Sequence, residues 1–412
     1  MEATAIQPHA EENEMRPRVV VLGSNFGGLS AALAVQRELE GDVDVMVVSP
    51  SDRFLFTPSL IWLPFGKRMP SDITFPVAPT LEHAGIEFVH AAATAVDPTA
   101  RTITTDDGAV RVYDYLVIAT GYRNDEEIVP GLENTSTITT LDRAIEAGAA
   151  WRRFLEQPGD VVIAATQGAG CFGAAYEFLF NTAHQLKKAG LHKQTRLTYV
   201  TSEPFLGHFG IGGLPHGEQL LGMFLKKQGI ESRVGIALER ADEDAIVLSN
   251  GERLPFSFSM VVPPFLGQEF LRDSGLADAK GFVPVRPSYQ SEKHDEIYAV
   301  GVAAAVEVPW TTSVPVGVPK TGFPTEQQAH VAARNIAHQV RGEAPAEERP
   351  FGDIKAVCVM DAGNNGVVIL ADKMLPPRKH GVLVPGPQAH LMKLAFEKYF
   401  LWKMEHGYVQ LP

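Results

Sequence analysis

Two stretches of the chain share one order of apolar and polar positions. Each has an apolar run, a glycine-rich turn, a segment of helical periodicity and a second apolar run, which together indicate a βαβ unit of about 30 residues. The predicted strand, helix and strand cover residues 18–23, 26–40 and 43–49 in the first unit, and residues 161–165, 173–188 and 197–201 in the second.

The rest of the pattern extends these two units into an α/β protein. Apolar runs predict further strands at residues 112–120, 245–248, 259–262, 297–301 and 357–360, and helices are predicted at 325–339 and 390–404. The glycine-rich stretch 207–217 predicts a loop. The predicted fold class is α/β, with two Rossmann-like dinucleotide-binding domains in tandem and a C-terminal segment that carries an amphipathic helix.

Composition and charge argue against some classes of binding partner and some cell compartments for this protein. The net charge of -13 without a long basic run argues against nucleic acid. Two cysteines are too few for a disulfide-stapled secreted fold, but they leave one redox pair. The chain begins without the apolar core of a signal peptide and has no run long enough to cross a bilayer, so a cytoplasmic or peripheral membrane location is expected. No metal site is predicted.

The first glycine turn has the spacing of a phosphate-binding loop. Gly23, Asn25 and Gly28 occupy the three positions of G-x-G-x-x-G, with asparagine in place of the second glycine. A helix N-terminus directly after such a turn favours a phosphate. Ser49 stands where an acidic ribose ligand is usual, and the alternative is a tight turn without a ligand.

The second glycine turn also has the spacing of a dinucleotide-binding loop, so binding of a nicotinamide cofactor stays an open alternative. Gly168, Gly170 and Gly173 keep the full spacing, and Glu203 is placed to meet a ribose. Ala175 stands where nicotinamide-binding flavoproteins often carry an acid. We therefore expect NADH to be disfavoured as the electron donor.

Several segments resemble the sulfide:quinone oxidoreductases, which are disulfide-reductase-like flavoproteins. The flavin-binding signatures are matched by residues 23–28, 118–121 and 297–301, and the closer matches are residues 168–177, 201–208, 315–322, 356–358 and 396–400. The resemblance runs from about Arg18 to the C-terminus. It implies sulfide and a quinone as substrates and FAD as cofactor, bound non-covalently because Thr57 and its neighbours replace a tethering cysteine.

The resemblance assigns flavin-binding roles to a group of small residues and one lysine. The expected FAD ligands are Gly23, Asn25, Phe26, Gly28, Ser49, Thr120, Gly121, Gly301, Val302 and Lys320. Lys320 is expected beside the flavin N1 and O2, where negative charge develops on reduction.

The same resemblance implies a redox pair of Cys171 and Cys358. Cys358 is expected nearest the flavin, while Cys171 carries the growing sulfur chain. Cys171 precedes a predicted helix, whose dipole is expected to lower the thiol pKa. Glu177 is a candidate base and His208 a candidate group on the sulfide side. Two inert buried cysteines are the alternative.

The C-terminal helix is the candidate quinone site. Phe396, Tyr399 and Phe400 are expected to line it, and a core-packing stripe is the alternative. Residues 60–63 with Phe65 form an apolar patch expected near flavin or lipid. A basic set that includes Lys393, Lys398 and Lys403 favours peripheral membrane contact through this helix, and a homo-oligomer is left open.

The expected domain division follows the two glycine loops. It comprises a disordered tail (1–17), the FAD-binding domain (18–157), a second Rossmann-like domain with Cys171 (158–284), a return to the FAD-binding domain (285–343) and a C-terminal domain with Cys358 and the quinone and membrane helix (344–412).

The chain departs from the family in three ways, and two other functions stay open. No third cysteine precedes Thr139, Val359 replaces an aromatic residue, and the chain ends at Pro412. The alternatives are a type II NADH:quinone dehydrogenase and a flavin-binding redox sensor without turnover.

Overall fold

A computed structural model describes residues 16–411. The first part of the chain forms β1 (Arg18–Leu22), α1 (Phe26–Glu38), β2 (Asp44–Ser49), β3 (Arg53–Leu55), β4 (Thr74–Pro76), α2 (Val77–His83), β5 (Glu87–His90), β6 (Ala93–Asp97), β7 (Thr102–Thr105), β8 (Val110–Val112), β9 (Tyr115–Ile118), β10 (Arg123–Asn124) and α3 (Leu141–Glu156).

The middle of the chain contains the second glycine loop. It forms β11 (Val161–Ala165), α4 (Phe172–Lys188), β12 (Leu197–Thr201), α5 (Gly217–Gln228), β13 (Glu231–Val234), β14 (Leu238–Ala241), β15 (Ala245–Leu248), β16 (Arg253–Pro255), β17 (Phe258–Val262), β18 (Phe265–Leu266) and α6 (Glu269–Asp273). The last part forms β19 (Ile297–Ala299), α7 (Gly322–Val340), β20 (Ala356–Asp361), β21 (Gly366–Ala371), β22 (Gly381–Pro385) and α8 (Pro387–Glu405).

Two parallel sheets confirm the predicted fold class. The first has the order β19-β9-β1-β2-β5 and the second the order β13-β12-β11-β17. Their central strands are apolar throughout and buried, as expected when helices cover both faces of a sheet. β19 enters the first sheet although it follows the second sheet in sequence, so the second unit is an insertion into the first. The exact domain boundaries stay a prediction.

Some elements differ from the prediction. The expected strand at 112–120 is divided between β8 and β9, because Asp114 turns its carboxylate to the Arg18 amide at 2.7 Å. One expected C-terminal strand proves to be the antiparallel sheet β20-β21-β22. The patch at residues 60–63 is buried in the core, so its expected contact with lipid is wrong.

The predicted N-terminal tail lies mostly outside the described residues. Its last two residues are described, and both contact the first sheet or its turn. Arg16 donates to the Gly41 carbonyl at 3.2 Å, and the Pro17 carbonyl accepts from Asp44 at 2.9 Å.

Helix α8 turns its charged side chains inward. Lys393, Glu397 and Lys403 are buried, whereas Leu391 is 64% exposed and Phe396 is 40% exposed. Each buried charge has a partner of opposite sign. These pairs are Lys393 with Glu177, Glu397 with Arg68, and Lys403 with Glu326. Lys393 and Lys403 therefore do not belong to the basic membrane face that the sequence suggested.

We expect Lys403→Met to weaken the attachment of α8, because it leaves the Glu326 carboxylate buried without its counter-ion. Breaking a buried pair from one side costs about 3–5 kcal/mol, which should lower the urea midpoint of unfolding followed by tryptophan fluorescence. The control is Lys398→Met at an exposed position of the same helix. An unchanged midpoint in Lys403→Met would contradict the role of the pair.

Candidate active site

The first glycine loop brings three backbone segments into direct contact. A Cβ on Gly23 would lie 2.4 Å from the Ala119 carbonyl oxygen, and one on Gly28 would lie 1.8 Å from the Gly23 oxygen. Gly23 also has a φ of +111°, which favours glycine. Glycine is therefore required at both positions for the end of β1, the start of α1 and the end of β9 to meet.

The residues around this loop fit a dinucleotide. The first turn of α1 contains no acidic side chain, and no side chain caps its amides, so they are available to a phosphate. Asn25 uses its side-chain oxygen to accept from the Leu55 amide at 3.2 Å. Within residues 16–411, the buried Thr120 hydroxyl has no hydrogen-bond partner. An orphaned buried hydroxyl at an expected cofactor position indicates a missing polar partner.

Ser49 is already engaged by protein groups. Its hydroxyl lies 2.9 Å from the Ser24 hydroxyl and accepts from the Ser51 amide at 3.1 Å. A ribose at this position would share the hydroxyl with that turn. The role of Ser49 in cofactor binding stays a prediction.

The segment after β19 lies against the lysine expected beside the flavin. Gly301 donates its amide to Gln328 at 2.5 Å, and the Lys320 ammonium donates to the carbonyls of Val302 at 3.0 Å and Ala304 at 2.7 Å. The ammonium also lies 3.6 Å from the centre of the Phe282 ring. Burial lowers the pKa of Lys320 to about 7, so a nearby negative charge would favour its protonated form.

The fold brings the two cysteines to one place. Cys171 is the N-cap residue of α4, and Cys358 is the third residue of β20, which packs against α4. Both are free thiols, and Cys358 is the more exposed of the two. They are close enough that each residue's environment includes the same two charges, Glu177 and Lys393.

Tyr122 connects this pair to the flavin-binding segments. It follows the Thr120-Gly121 signature directly, and burial together with the nearby Cys171 raises the pKa of its phenol. The loop before Cys171 is also tied to the segment that leads to Lys320, since the Gly168 amide donates to the Pro315 carbonyl at 2.7 Å.

Desolvation is the largest influence on the charge of both thiols. It raises the pKa of Cys171, although the amides of Ala174 and Gly173 at the helix start lower it in part. The amides at the helix start thus lower the pKa in the expected direction, but burial outweighs them. For Cys358, desolvation by the surrounding protein and then Glu177 raise the pKa, while Lys393 opposes them. Because Cys358 is exposed, its desolvation is weaker than that of an enclosed thiol.

A buried ion pair lies beside the thiols. Lys393 of α8 donates to both carboxylate oxygens of Glu177, at 2.7 and 3.0 Å. The Asp361 amide donates to the same carboxylate at 2.8 Å. Burial raises the pKa of Glu177 despite Lys393, which makes this carboxylate a better proton acceptor near neutral pH than an exposed one.

Asp361 extends the pair towards the surface. Its carboxylate accepts from the Trp62 indole at 2.8 Å, and its second oxygen lies 2.6 Å from Nδ1 of His390. Burial alone would raise the pKa of Asp361, but the hydrogen bonds from Trp62 and His390 lower it overall. Asp361 is thus a fixed anion that joins β20, α8 and the segment around Trp62.

His208 lies in an aromatic setting. Its ring meets Trp310 edge to face at 4.7 Å and Phe205 at 5.2 Å. Burial and the nearby Arg378 lower the pKa of His208 to about 4, so it is neutral near pH 7. Within residues 16–411 its Nδ1 has no partner. No contact between His208 and either thiol is seen.

Protein side chains cover the second glycine loop. The Phe265 ring lies so close to Gly170 that an added Cβ would come within 2.3 Å, and it stacks on Tyr122 with 3.7 Å between the centroids. On another side, Gly317 packs against the Gly168 carbonyl oxygen. A pyrophosphate needs open amides at such a loop, and here the approach is filled.

Glu203 is also turned away from a ribose position. It is fully buried and accepts from the Thr201 hydroxyl at 2.8 Å and the Phe209 amide at 2.6 Å. Burial raises the pKa of Glu203 to about 7. The carboxylate holds the 201–209 turn together, so protein groups already engage the side chain that was expected to meet a ribose.

The three aromatic residues of α8 have different surroundings. Phe400 is 2% exposed and packs against Phe26 at 4.9 Å and Phe56 at 5.6 Å. Phe396 is partly exposed and contacts Phe56 at 5.9 Å. Tyr399 stacks loosely on Trp402 at 6.3 Å. Phe400 is thus a core residue behind the surface that Phe396 presents.

Comparisons with known proteins fit this geometry. Residues 17–335 match the family model described as pyridine nucleotide-disulphide oxidoreductase. The sulfide-quinone reductase of Aquifex aeolicus is 36% identical over 400 residues, which cover 95% of this chain and 92% of that protein. The crystal structure of the Aquifex aeolicus sulfide:quinone oxidoreductase superposes with a TM-score of 0.91 over the same shares.

This chain belongs to the sulfide:quinone oxidoreductase family. Its membership implies a flavin-dependent enzyme. A type II NADH:quinone oxidoreductase of Staphylococcus saprophyticus is also similar, at 24% identity over 410 residues that cover 94% of this chain and 96% of that protein. The covered glycine loop and the buried Glu203 separate this member of the sulfide:quinone family from an enzyme that binds NADH there.

Sequence reasoning missed Lys393, Asp361 and Trp62 as parts of the site. Lys393 was counted among basic surface residues, although it stands four residues before Glu397 and seven before the core residue Phe400. That spacing puts all three on one face of the helix. Nothing in the sequence indicated that Asp361 and Trp62 would meet.

We expect Glu177→Gln to lower the pKa of Cys358 by about one pH unit, because it removes a nearby negative charge and frees Lys393 from its partner. At any given pH, the thiolate fraction should therefore rise. The measurement is the pH dependence of Cys358 alkylation by iodoacetamide in a Cys171→Ser background. Glu405→Gln at an exposed position serves as the control, and an unchanged or higher midpoint in Glu177→Gln would oppose the assignment.

Proposed function

We propose that this chain oxidises sulfide to sulfur or polysulfide through Cys171 and Cys358 and passes the electrons by way of FAD to a quinone. The single observation that carries the proposal is the meeting of these distant cysteines between α4 and β20, beside a shared ion pair. Family membership supports the same substrates.

The chemistry begins with the oxidised pair. Hydrosulfide attacks the Cys171 sulfur of the Cys171–Cys358 disulfide, a new S–S bond forms, and Cys358 leaves as the thiolate. Glu177 accepts the proton of the resulting persulfide, and Lys393 stabilises the thiolate. Closing the pair again would join the added sulfur to the Cys358 sulfur in a trisulfide and release two electrons. An FAD held by the first glycine loop, Thr120 and Lys320 would supply the acceptor for these electrons between the cysteines and the quinone.

The protein's own groups prepare each part of this sequence. Helix α4 presents its first amides to the Cys171 sulfur, where they favour the negative charge of the persulfide that forms on this residue. The glycines of the first loop and the Thr120 hydroxyl would hold the dinucleotide. Burial lowers the pKa of Lys320 to about 7, and in its protonated form this lysine would place a positive charge beside the flavin. We propose non-covalent attachment, with Thr57 in the tethering region, and acid precipitation should release all the flavin.

We expect sulfide, but not NADH, to bleach the flavin of the purified protein under anaerobic stopped-flow conditions. Cys358→Ser should keep its FAD and lose sulfide-driven bleaching by at least about a hundredfold, because the leaving thiolate is missing. Dithionite reduction of the same variant is the control for a competent flavin. Rapid bleaching by NADH would instead favour the type II dehydrogenase function.

Turnover distinguishes an enzyme from a redox sensor. A sensor would bleach once with sulfide and then fail to reduce decylubiquinone in the steady state.

The exposed Phe396 next to Phe56 offers a flat apolar wall of the kind that a quinone ring needs. We propose Phe396 as the principal quinone contact, with Tyr399 at its edge and Phe400 as its support.

We expect Phe396→Ala to raise the KM for decylubiquinone about five- to tenfold, equivalent to about 1–1.4 kcal/mol of ring contact. The rate of flavin bleaching by sulfide should not change, since the two half-reactions use different surfaces. Tyr408→Ala, at another exposed aromatic residue near the chain end, is the matched control. An equal rise of KM in the control would remove the specific role of Phe396.

The outer face of α8 supports a peripheral membrane contact, which we propose as the route to the quinone. Its apolar residues Leu391, Met392 and Trp402 are exposed on one helix. None of the helices within residues 16–411 is long and apolar enough to cross a membrane. Homo-oligomer formation stays a prediction.

We expect Leu391→Gln/Trp402→Gln to reduce co-sedimentation with phosphatidylglycerol vesicles about tenfold or more, because two apolar anchors are lost from the interface. Met223→Gln removes an exposed apolar side chain from α5 and is the control. Sedimentation that is unaltered by the double substitution would place membrane contact elsewhere.

A further inference from the structure

A cavity of about 320 Å³ lies between α4, α5 and one face of the C-terminal sheet. Apolar side chains form about half of its walls, among them Phe180 from α4, Phe224 from α5 and Leu383 from β22, and most of the other lining residues are polar or charged. It is separate from the flavin-binding loop and from the exposed face of α8, and the proposed reaction leaves it without a role.

The cavity faces the same side of the sheet as Cys358. Successive side chains of a strand alternate between faces, so Cys358 and Met360 point to one side. Met360 lines the cavity and pairs in register with Val367, which also lines it. Leu383 pairs with Ile369, the register partner of Cys358.

Met360 stands at the boundary between the cavity and the cysteine pair. Its sulfur lies 4.0 Å from the point where Gly173 would carry a Cβ, and the Cys171 sulfur lies 3.9 Å from that same point. The first turn of α4 thus has the Cys171 thiol and the Met360 thioether as neighbours. The cavity therefore begins where the redox site ends.

Positive charge surrounds the cavity in a protein whose net charge is -13. Lys187, Lys188 and Lys227 are part of its lining. Within residues 16–411 none of the three forms an ion pair with a carboxylate. The one acidic residue of the lining, Asp361, is already bonded to Trp62 and His390.

We propose that this cavity receives the linear polysulfide dianion that leaves Cys171 when the Cys358 thiolate attacks the Cys171 sulfur, which re-forms the disulfide and breaks the bond to the sulfur chain. The inference rests on the proposed sulfide oxidation and adds where its product is held. A sulfur chain has a polarizable, weakly hydrated body and charged ends, which suits apolar walls, a thioether and unpaired lysines. Hydrosulfide is too small to need such a volume, and a neutral quinone has no use for three cations.

The test measures binding without reaction. Sodium tetrasulfide is titrated anaerobically into the FAD-loaded Cys171→Ser/Cys358→Ser protein in a calorimeter, with and without Lys187→Gln/Lys227→Gln. We expect the lysine changes to weaken tetrasulfide binding at least fivefold, and added KCl to weaken binding to the unchanged cavity. Lys193→Gln/Lys226→Gln, two nearby lysines outside the lining, should stay within twofold.

A second measurement uses the enzyme with both cysteines intact. Flavin bleaching by sulfide should keep its rate in Lys187→Gln/Lys227→Gln, whereas the chain length of the released sulfur, trapped with monobromobimane, should change. Equal tetrasulfide affinity with and without the lysine changes would overturn the proposed cavity. Loss of sulfide-driven bleaching in the unmodified enzyme would instead overturn the proposed function, so the two failures are distinguishable.

Discussion

The buried ion pair of Glu177 and Lys393 is the constraint on which the site depends. It joins α4, which begins at Cys171, to α8, and its carboxylate also accepts from the backbone of β20 three residues after Cys358. The two thiols are therefore positioned by one carboxylate. Charges buried in this way are costly unless fully paired, so the three elements keep a fixed relation to each other.

The same pair sets the electrostatic balance of the thiols. Desolvation raises the pKa of each cysteine, Glu177 raises it further, and Lys393 acts in the opposite direction. Because Glu177 and Lys393 are neutral as a pair, their combined effect on the thiol pKa changes when Glu177 gains a proton. Protonation of the carboxylate would leave Lys393 as the dominant charge just as a thiolate forms. In the proposed reaction, proton transfer to Glu177 and stabilisation of the thiolate by Lys393 would be coupled through this one contact.

The sequence predicts the two βαβ units well because their strands are mainly apolar and their turns need glycine for steric reasons. Gly23 and Gly28 are required by backbone contacts of 2.4 and 1.8 Å, so the motif reports local geometry directly. The inward charges of α8 were not predicted, because their partners Glu177, Arg68 and Glu326 come from distant segments. The overall direction of the Cys171 pKa shift was not predicted, since burial depends on the whole fold whereas the helix dipole is a local effect.

Phe265 has a consequence for the history and redesign of this scaffold. The loop beneath it retains all three glycines of a nucleotide site, yet an aromatic stack with Tyr122 occupies the approach. Converting the protein to a pyridine-nucleotide oxidase would require removing the Phe265–Tyr122 stack and displacing the segment around Gly317. It would also require breaking the hydrogen bonds that hold the Glu203 carboxylate. Several separate contacts therefore cover this loop, and packing rather than any one residue closes it to a nucleotide.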